Sequence, residues 1–314
     1  MGKIDYIPSL VESNYPCLIE YIYLLVMPLA GEVVCKSLHF WTGILLLFSM
    51  GWLIFKISPG SSRLLGPALY LSLPVFAVIL GWAWNDAFFV LFWLLCLGYL
   101  LDYQAADAEH RKPRILFTAG IMAGLASWTK YTFVLVFLAI IILLIVALIR
   151  WRWKWYHLFW FFLPIGVISL LVFIKNLVFT GNPFYPFLSS IFPSPYWTKA
   201  AHDYFMRAVQ HWEIPDWNWS TYFLFPFRLT LKPVLVDIHP GILPLVLVPM
   251  LFFRSPNRSA TFLKVFIGSS VVAWLAIRTE TRSLLTLLAV LFCVAAVGLE
   301  HMVWKNKTYR RPVV

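Results

Sequence analysis

From Phe133 to Ile149 the chain runs without one polar side chain. A helix that is apolar on every face has no side to show to water, so it belongs in a large core or a bilayer. Further apolar runs near the roughly 20 residues needed to cross a bilayer fall at 33–55, 64–83, 86–102, 115–129, 156–178, 240–253, 260–277 and 283–304. Charged residues make up 12% of the 314, half the roughly 25% of a soluble domain. These runs predict an all-α, polytopic membrane protein with about nine transmembrane helices. It forms one domain over residues 1–314, with a large outer loop at 179–237.

The net charge of +11 would point to nucleic acid in a soluble protein. Here the basic residues flank apolar runs, so no nucleic-acid partner is expected and the lipid bilayer takes that place. Fifteen of the 25 Lys and Arg residues gather within a few positions of span ends on one side, among them Lys56, Arg63, Arg111, Arg150, Lys154, Arg258 and Lys305. The positive-inside rule assigns that side to the cytoplasm. The opposite side then holds Asn85-Asp86, Lys130, Lys175-Asn176, and Arg278, Glu280 and Arg282. Upstream of the first span, Pro16 to Ala30 reads as an apolar helix along the interface, carrying Glu20. An odd number of spans leaves the N-terminus outside, and a further span and part of a loop are expected upstream of Met1. The scattered cysteines Cys17, Cys35, Cys96 and Cys293 read as small hydrophobes.

Lys130 lies in Trp128-Thr129-Lys130-Tyr131-Thr132, a short interruption between two apolar runs. No carboxylate is near it in sequence, so a cation kept there points to an anionic ligand such as a lipid phosphate. Lys130, Lys175, Arg278 and Arg282 each have a plainer reading, as side chains snorkelling to headgroups; four at comparable depth favour a site. Asp86 has a plainer reading as a turn or N-cap residue, and His39 as a packing residue. The loop at 179–237 is rich in aromatics, and Lys199 to Trp212 predicts an interfacial amphipathic helix with Ala201, Tyr204, Phe205 and Ala208 on one face. Asn218-Trp-Ser220 matches a glycosylation sequon, a pattern too short to weigh much.

Two of these segments have a family look. Gly124-Leu125-Ala126-Ser127-Trp128-Thr129-Lys130-Tyr131-Thr132 resembles the G-L-A-x-x-T-K-Y-T segment of bacterial GT-C superfamily membrane glycosyltransferases. Lys175-Asn176 with Thr180-Gly181-Asn182-Pro183-Phe184-Tyr185-Pro186-Phe187 resembles the K-N and T-G-N-P-x-Y-P-F elements of the same group. These enzymes are related to the protein O-mannosyltransferases and to the aminoarabinose transferase of lipid A.

The resemblance implies a helical bundle in the bacterial cytoplasmic membrane with its active face on the periplasmic side. It also implies transfer of a sugar from a polyprenyl-phosphate donor to an envelope acceptor by one inverting displacement. That chemistry needs a carboxylate near the acceptor and cations at the leaving phosphate. By the same resemblance Asp86 is the candidate catalytic carboxylate. Lys130, Tyr131, Lys175, Asn182, Tyr185, Arg278 and Arg282 are candidates for binding the lipid-linked sugar. No cofactor is expected, and a divalent metal is left open. The family places its principal catalytic aspartate in the first outer loop, and no position here matches it, Asp5 included. A form inactive through truncation, a non-catalytic membrane subunit and a lipid-linked oligosaccharide transporter are the alternatives; the chain shows neither the midplane charges nor the repeats of a transporter.

Overall fold

The computed structural model describes residues 11–195, 197–210, 240–252, 257–277 and 281–308, with Leu224, Phe227 and Thr230 between them. Every regular element among the described residues is helical. The eleven helices labelled here are α1 Leu18–Ile57, α2 Leu65–Leu71, α3 Pro74–Leu80, α4 Asp86–Ala105, α5 Pro113–Thr129, α6 Phe133–Arg150, α7 Leu158–Thr180, α8 Lys199–Gln210, α9 Leu243–Leu247, α10 Arg258–Ile277 and α11 Leu285–Thr308.

Six segments among the described residues are long and apolar enough to cross a membrane, against the nine expected. The run at 64–83 breaks where Leu73 turns extended before Pro74, leaving two seven-residue helices, α2 and α3. Proline cannot continue the preceding helix and restricts the residue before it. The run at 240–253 becomes the five-residue α9 and a 3-10 turn at Val248–Phe252, with Pro244 and Pro249 in it. Helix α5 has 17 residues and lies between α4 and α7.

Helix α1 is two helices in one. Ala30 and Gly31 leave helical geometry, and Gly31 takes φ +59°, which glycine adopts without steric penalty. The Cys35 thiol lies 3.8 Å from the Tyr23 carbonyl, although residues 12 apart in a straight helix would be separated by about 18 Å. The chain therefore folds back at Gly31. Ile19, Tyr23 and Cys35 close a small cluster with Phe88 and Phe92. Leu24, Leu25 and Leu29 on the first half stay exposed.

Helix α11 is buried from Leu285 through Val297, the signature of a helix apolar all round, and it packs on α1, α2 and α10. Helices α5 and α7 approach closely through Gly120 and Gly124. A Cβ at Gly120 would stand 2.2 Å from the Phe161 carbonyl oxygen, and one at Gly124 would meet Ile168 at 2.7 Å. Small residues at such crossings let helix backbones touch in a bilayer, where apolar burial alone drives no association.

Polar contacts gather at two ends. At one, Lys56 pairs with Asp102, Arg111 donates to the Trp151 and Arg152 carbonyls, and Trp153 Nε1 donates to Gln104 at 2.6 Å. This is the end the basic flanks assign to the cytoplasm. The other end holds Asn85, Asp86, Lys130, Asn176 and Arg282, the grouping expected from the charges.

Gly120→Ala should destabilise the bundle by about 1–3 kcal/mol through overpacking against fixed backbone. Gly166, with nothing within 4 Å of an added Cβ, should accept alanine with a gain of about 0.5–1 kcal/mol. Reversible unfolding in mixed micelles checks both, and equal effects would contradict the close α5–α7 crossing.

Candidate functional site

Helix α4 begins at Asp86, with Asn85 before it and no side chain capping the end. Asp86 is thus the first helical residue and not a side-chain N-cap. A carboxylate there is favoured by the positive end of the helix dipole. Only 3% of Asp86 is exposed. The donor usually met by a cap, the Ala87 N–H, goes instead to His39 Nε2 at 3.2 Å. His39 is fully buried and also packs on the Phe88 ring.

Helix α5 stops at Thr129, and Lys130 turns fully extended, with φ −159° and ψ 142°. Its ammonium reaches Asp86 Oδ1 at 2.9 Å. The carboxylate that sequence proximity could not supply comes from 44 residues upstream. Arg282, in the 3-10 turn before α11, stands 3.7 Å from Asp86 Oδ2 with its guanidinium 4.6 Å over the Trp84 ring. Asn85 Nδ2 donates to Glu20 Oε1 at 2.8 Å and to the Thr129 carbonyl at 3.3 Å. Tyr23 donates its hydroxyl to the Trp84 carbonyl at 2.7 Å. Two cations therefore converge on one buried carboxylate, where the first half of α1 and three turns meet.

A second layer stands behind Lys130. Gly181 ends α7 in a left-handed conformation, φ +74°, the usual use of glycine after a helix. Asn182 is fully buried; its amide donates to the Phe187 carbonyl and its Oδ1 accepts the Phe184 N–H, both at 2.8 Å. The segment closes into a tight turn with a cis bond between Tyr185 and Pro186. Tyr131 donates its hydroxyl to the Tyr185 carbonyl and accepts from Asn176 Nδ2 at 3.0 Å. Burial pushes the Tyr131 phenol well above its ordinary range, so it stays a donor. Its ring meets Tyr15 and Phe187 edge to face, at 5.1 and 5.3 Å.

Of the eight candidate residues, Asp86, Lys130 and Arg282 are brought into one cluster. Tyr131, Asn182 and Tyr185 form the buried layer that fixes the Lys130 turn. Lys175 points elsewhere, donating to the Tyr15 carbonyl at 2.9 Å. Arg278 and Glu280 lie outside the described residues, as do the sequon and much of the second half of the loop at 179–237. Helix α8 forms close to where the pattern predicts it; Phe205 packs on Trp197 at 5.6 Å while Tyr204 stays exposed. Glu20, His39 and Trp84 are the site residues that sequence reasoning missed, and a lone glutamate in an apolar helix was the one signal available. Among the described residues no group of three His, Cys, Asp or Glu side chains could hold a metal ion.

The sequence profile of the dolichyl-phosphate-mannose-protein mannosyltransferase family matches residues 14–179, just over half of the chain. The chain belongs to this family. The match takes in Glu20, Asp86, Lys130 and Lys175, and membership agrees with the GT-C superfamily resemblance carried by the two motifs. The fold is similar to crystal structures of ArnT from Cupriavidus metallidurans. The form bound to undecaprenyl phosphate aligns with a TM-score of 0.65 at 17% identity, covering 93% of this chain and 52% of that one. The apo form aligns with a TM-score of 0.57 at 17% identity, covering 93% and 51%. The chain thus spans about half the length of these structures. No curated protein matches the sequence.

Asp86→Ala leaves two cations without their buried counter-ion, and should cost about 3–5 kcal/mol of stability. Adding Lys130→Ala to it should recover part of that loss, giving a coupling energy of about 1–3 kcal/mol in a double-mutant cycle. Strict additivity in micelle unfolding would mean that the pair does not form.

Proposed function

We propose that this chain is a membrane glycosyltransferase that binds a polyprenyl-phosphate-linked sugar at the Asp86–Lys130–Arg282 cluster and passes the sugar to an envelope acceptor. The carrying observation is the convergence of Lys130 and Arg282 on a single buried carboxylate. A sugar phosphodiester is an anion, and two converging cations are suited to receive it.

Each residue then has a task. Lys130 and Arg282 hold the phosphate and stabilise the charge that grows on it as the sugar leaves, the moment at which preorganised cations act most strongly. Asp86 keeps the two cations at a fixed spacing. The buried layer of Tyr131, Asn176, Asn182 and Tyr185 keeps the Lys130 turn from yielding. The exposed apolar side of the first half of α1 offers a surface for the prenyl tail. The likeness in fold to ArnT bound to undecaprenyl phosphate supports this reading, as does the mannosyltransferase family profile. The basic flanks at the opposite end of the bundle support a periplasmic orientation of the cluster.

The test is transfer of radiolabelled sugar from mannosyl- and glucosyl-phosphoryl-undecaprenol to cell-envelope extract by the purified chain. Lys130→Ala and Asp86→Asn should each lower the rate by about 100-fold or more, the loss typical of removing one charge-stabilising donor. Equal rates in all three proteins would remove the cluster from the chemistry. Binding of the lipid without any transfer would favour the non-catalytic subunit.

A further inference from the structure

The cations of the cluster cannot by themselves tell a loaded lipid from a spent one. Donor and product share the prenyl tail and the phosphate, and the product, a phosphate monoester, carries the larger negative charge. A contact with the sugar is what the product lacks. The turn between α3 and α4, Gly81-Trp82-Ala83-Trp84-Asn85, leads directly into Asp86. The Trp82 N–H donates to the Ile79 carbonyl at 3.1 Å, and the Tyr23 hydroxyl holds the Trp84 carbonyl from the first half of α1. Trp84 is half-buried, and the Arg282 guanidinium sits 4.6 Å from its ring centre. Trp82 lies nearly parallel to Trp84, with 5.9 Å between centroids and 20° between planes, an offset stack. Yet Trp82 stays 56% exposed. The sum of the two separations is the greatest distance that can part the guanidinium from the Trp82 ring. A phosphate on the guanidinium and the hexose bonded to it can span that reach.

We infer that Trp82 is the surface on which the donor's sugar ring stacks, an assignment resting on the glycosyltransferase reading above. The anomeric carbon is joined to the phosphate through a single oxygen atom, so a phosphate held by Lys130 and Arg282 keeps the sugar beside them. A hexose shows C–H bonds on its ring faces and hydroxyls around its rim. Those hydrogens are slightly positive and the face of an indole is negative, so the two surfaces attract, and both leave water as they meet. Trp84 links the ring that meets the sugar to the cation that meets the phosphate. A tryptophan on a membrane protein has a plainer use as an anchor at headgroup level. Trp82 differs in being stacked on the very ring that carries Arg282. The prenyl tail is common to donor and product, so comparing the two lipids separates tail from sugar.

The experiment follows binding to the full chain by native mass spectrometry, with mannosyl- or glucosyl-phosphoryl-undecaprenol competing against plain undecaprenyl phosphate. Trp82→Ala should lower the affinity for the sugar-linked lipid about 3- to 10-fold, the strength of one aromatic stacking contact. It should bind undecaprenyl phosphate as the parent does. Trp82→Phe, which keeps a smaller ring, should retain part of the affinity for the sugar-linked lipid. Trp155→Ala, which removes an exposed tryptophan at the opposite mouth, should bind both lipids as the parent does. Parental relative affinity in Trp82→Ala overturns the assignment, because the ring would then be an interfacial anchor. Equal loss of both lipids also overturns it, because the ring would then serve the tail or only prop Trp84 and Arg282. So does a loss of the same size in Trp155→Ala. If the parent binds undecaprenyl phosphate but no sugar-linked lipid, the Trp82 assignment fails while the phosphate site stands. If the parent binds neither lipid, the glycosyltransferase reading fails and takes the assignment with it.

Discussion

The Asp86 carboxylate is the point on which the polar end of this bundle depends. It is buried, and it faces Lys130 from the turn after α5 and Arg282 from the turn before α11. A carboxylate taken out of water costs several kcal/mol unless cations and hydrogen bonds replace the solvent. The cations gain equally from the carboxylate. Each of the three charges therefore fixes the other two, and through them the turns that carry them. Arg282 is held further by the Trp84 ring, and Trp84 by the Tyr23 hydroxyl, so the first half of α1 is tied into the same arrangement.

Such a cluster needs a stiff frame, and the frame comes from close helix packing. Gly120 and Gly124 bring α5 against α7 at backbone contact, which sets the height of Thr129 and Lys130 relative to Asn176. The buried α11 holds the turn bearing Arg282. At the far end, Lys56 with Asp102 and Trp153 with Gln104 join α1 to α4 and α4 to the link before α7. Polar side chains thus close both mouths of an apolar bundle, and among the described residues only one mouth gathers cations around a buried acid.

The division of charges between the two ends was readable in the sequence, because basic residues mark span ends wherever they fall. Lys130 and Asp86 were readable as candidates for the same reason: charges are rare here and each needs an explanation. Their partnership was not, since 44 residues separate them and pairing distance is a tertiary property. Asn182 and Tyr185 stood out by motif, yet their side chains serve the folded turn behind Lys130. Six rather than nine long apolar helices are found among the described residues where prolines interrupt apolar runs, because hydropathy does not register a missing N–H. The fold at Gly31 had a visible cue in the Ala-Gly-Glu interruption. Glu20 was noticed only as a blemish in an apolar helix, and its contact with Asn85 comes from that fold.

The central claim is that the two cations around Asp86 receive a prenyl phosphate. Native mass spectrometry of the purified chain with undecaprenyl phosphate tests this most directly. A one-to-one adduct should form with the parent and with Lys56→Ala at the opposite mouth. It should vanish in the Lys130→Ala, Arg282→Ala double variant. An adduct that survives the double variant, or one lost only with Lys56, would contradict the account.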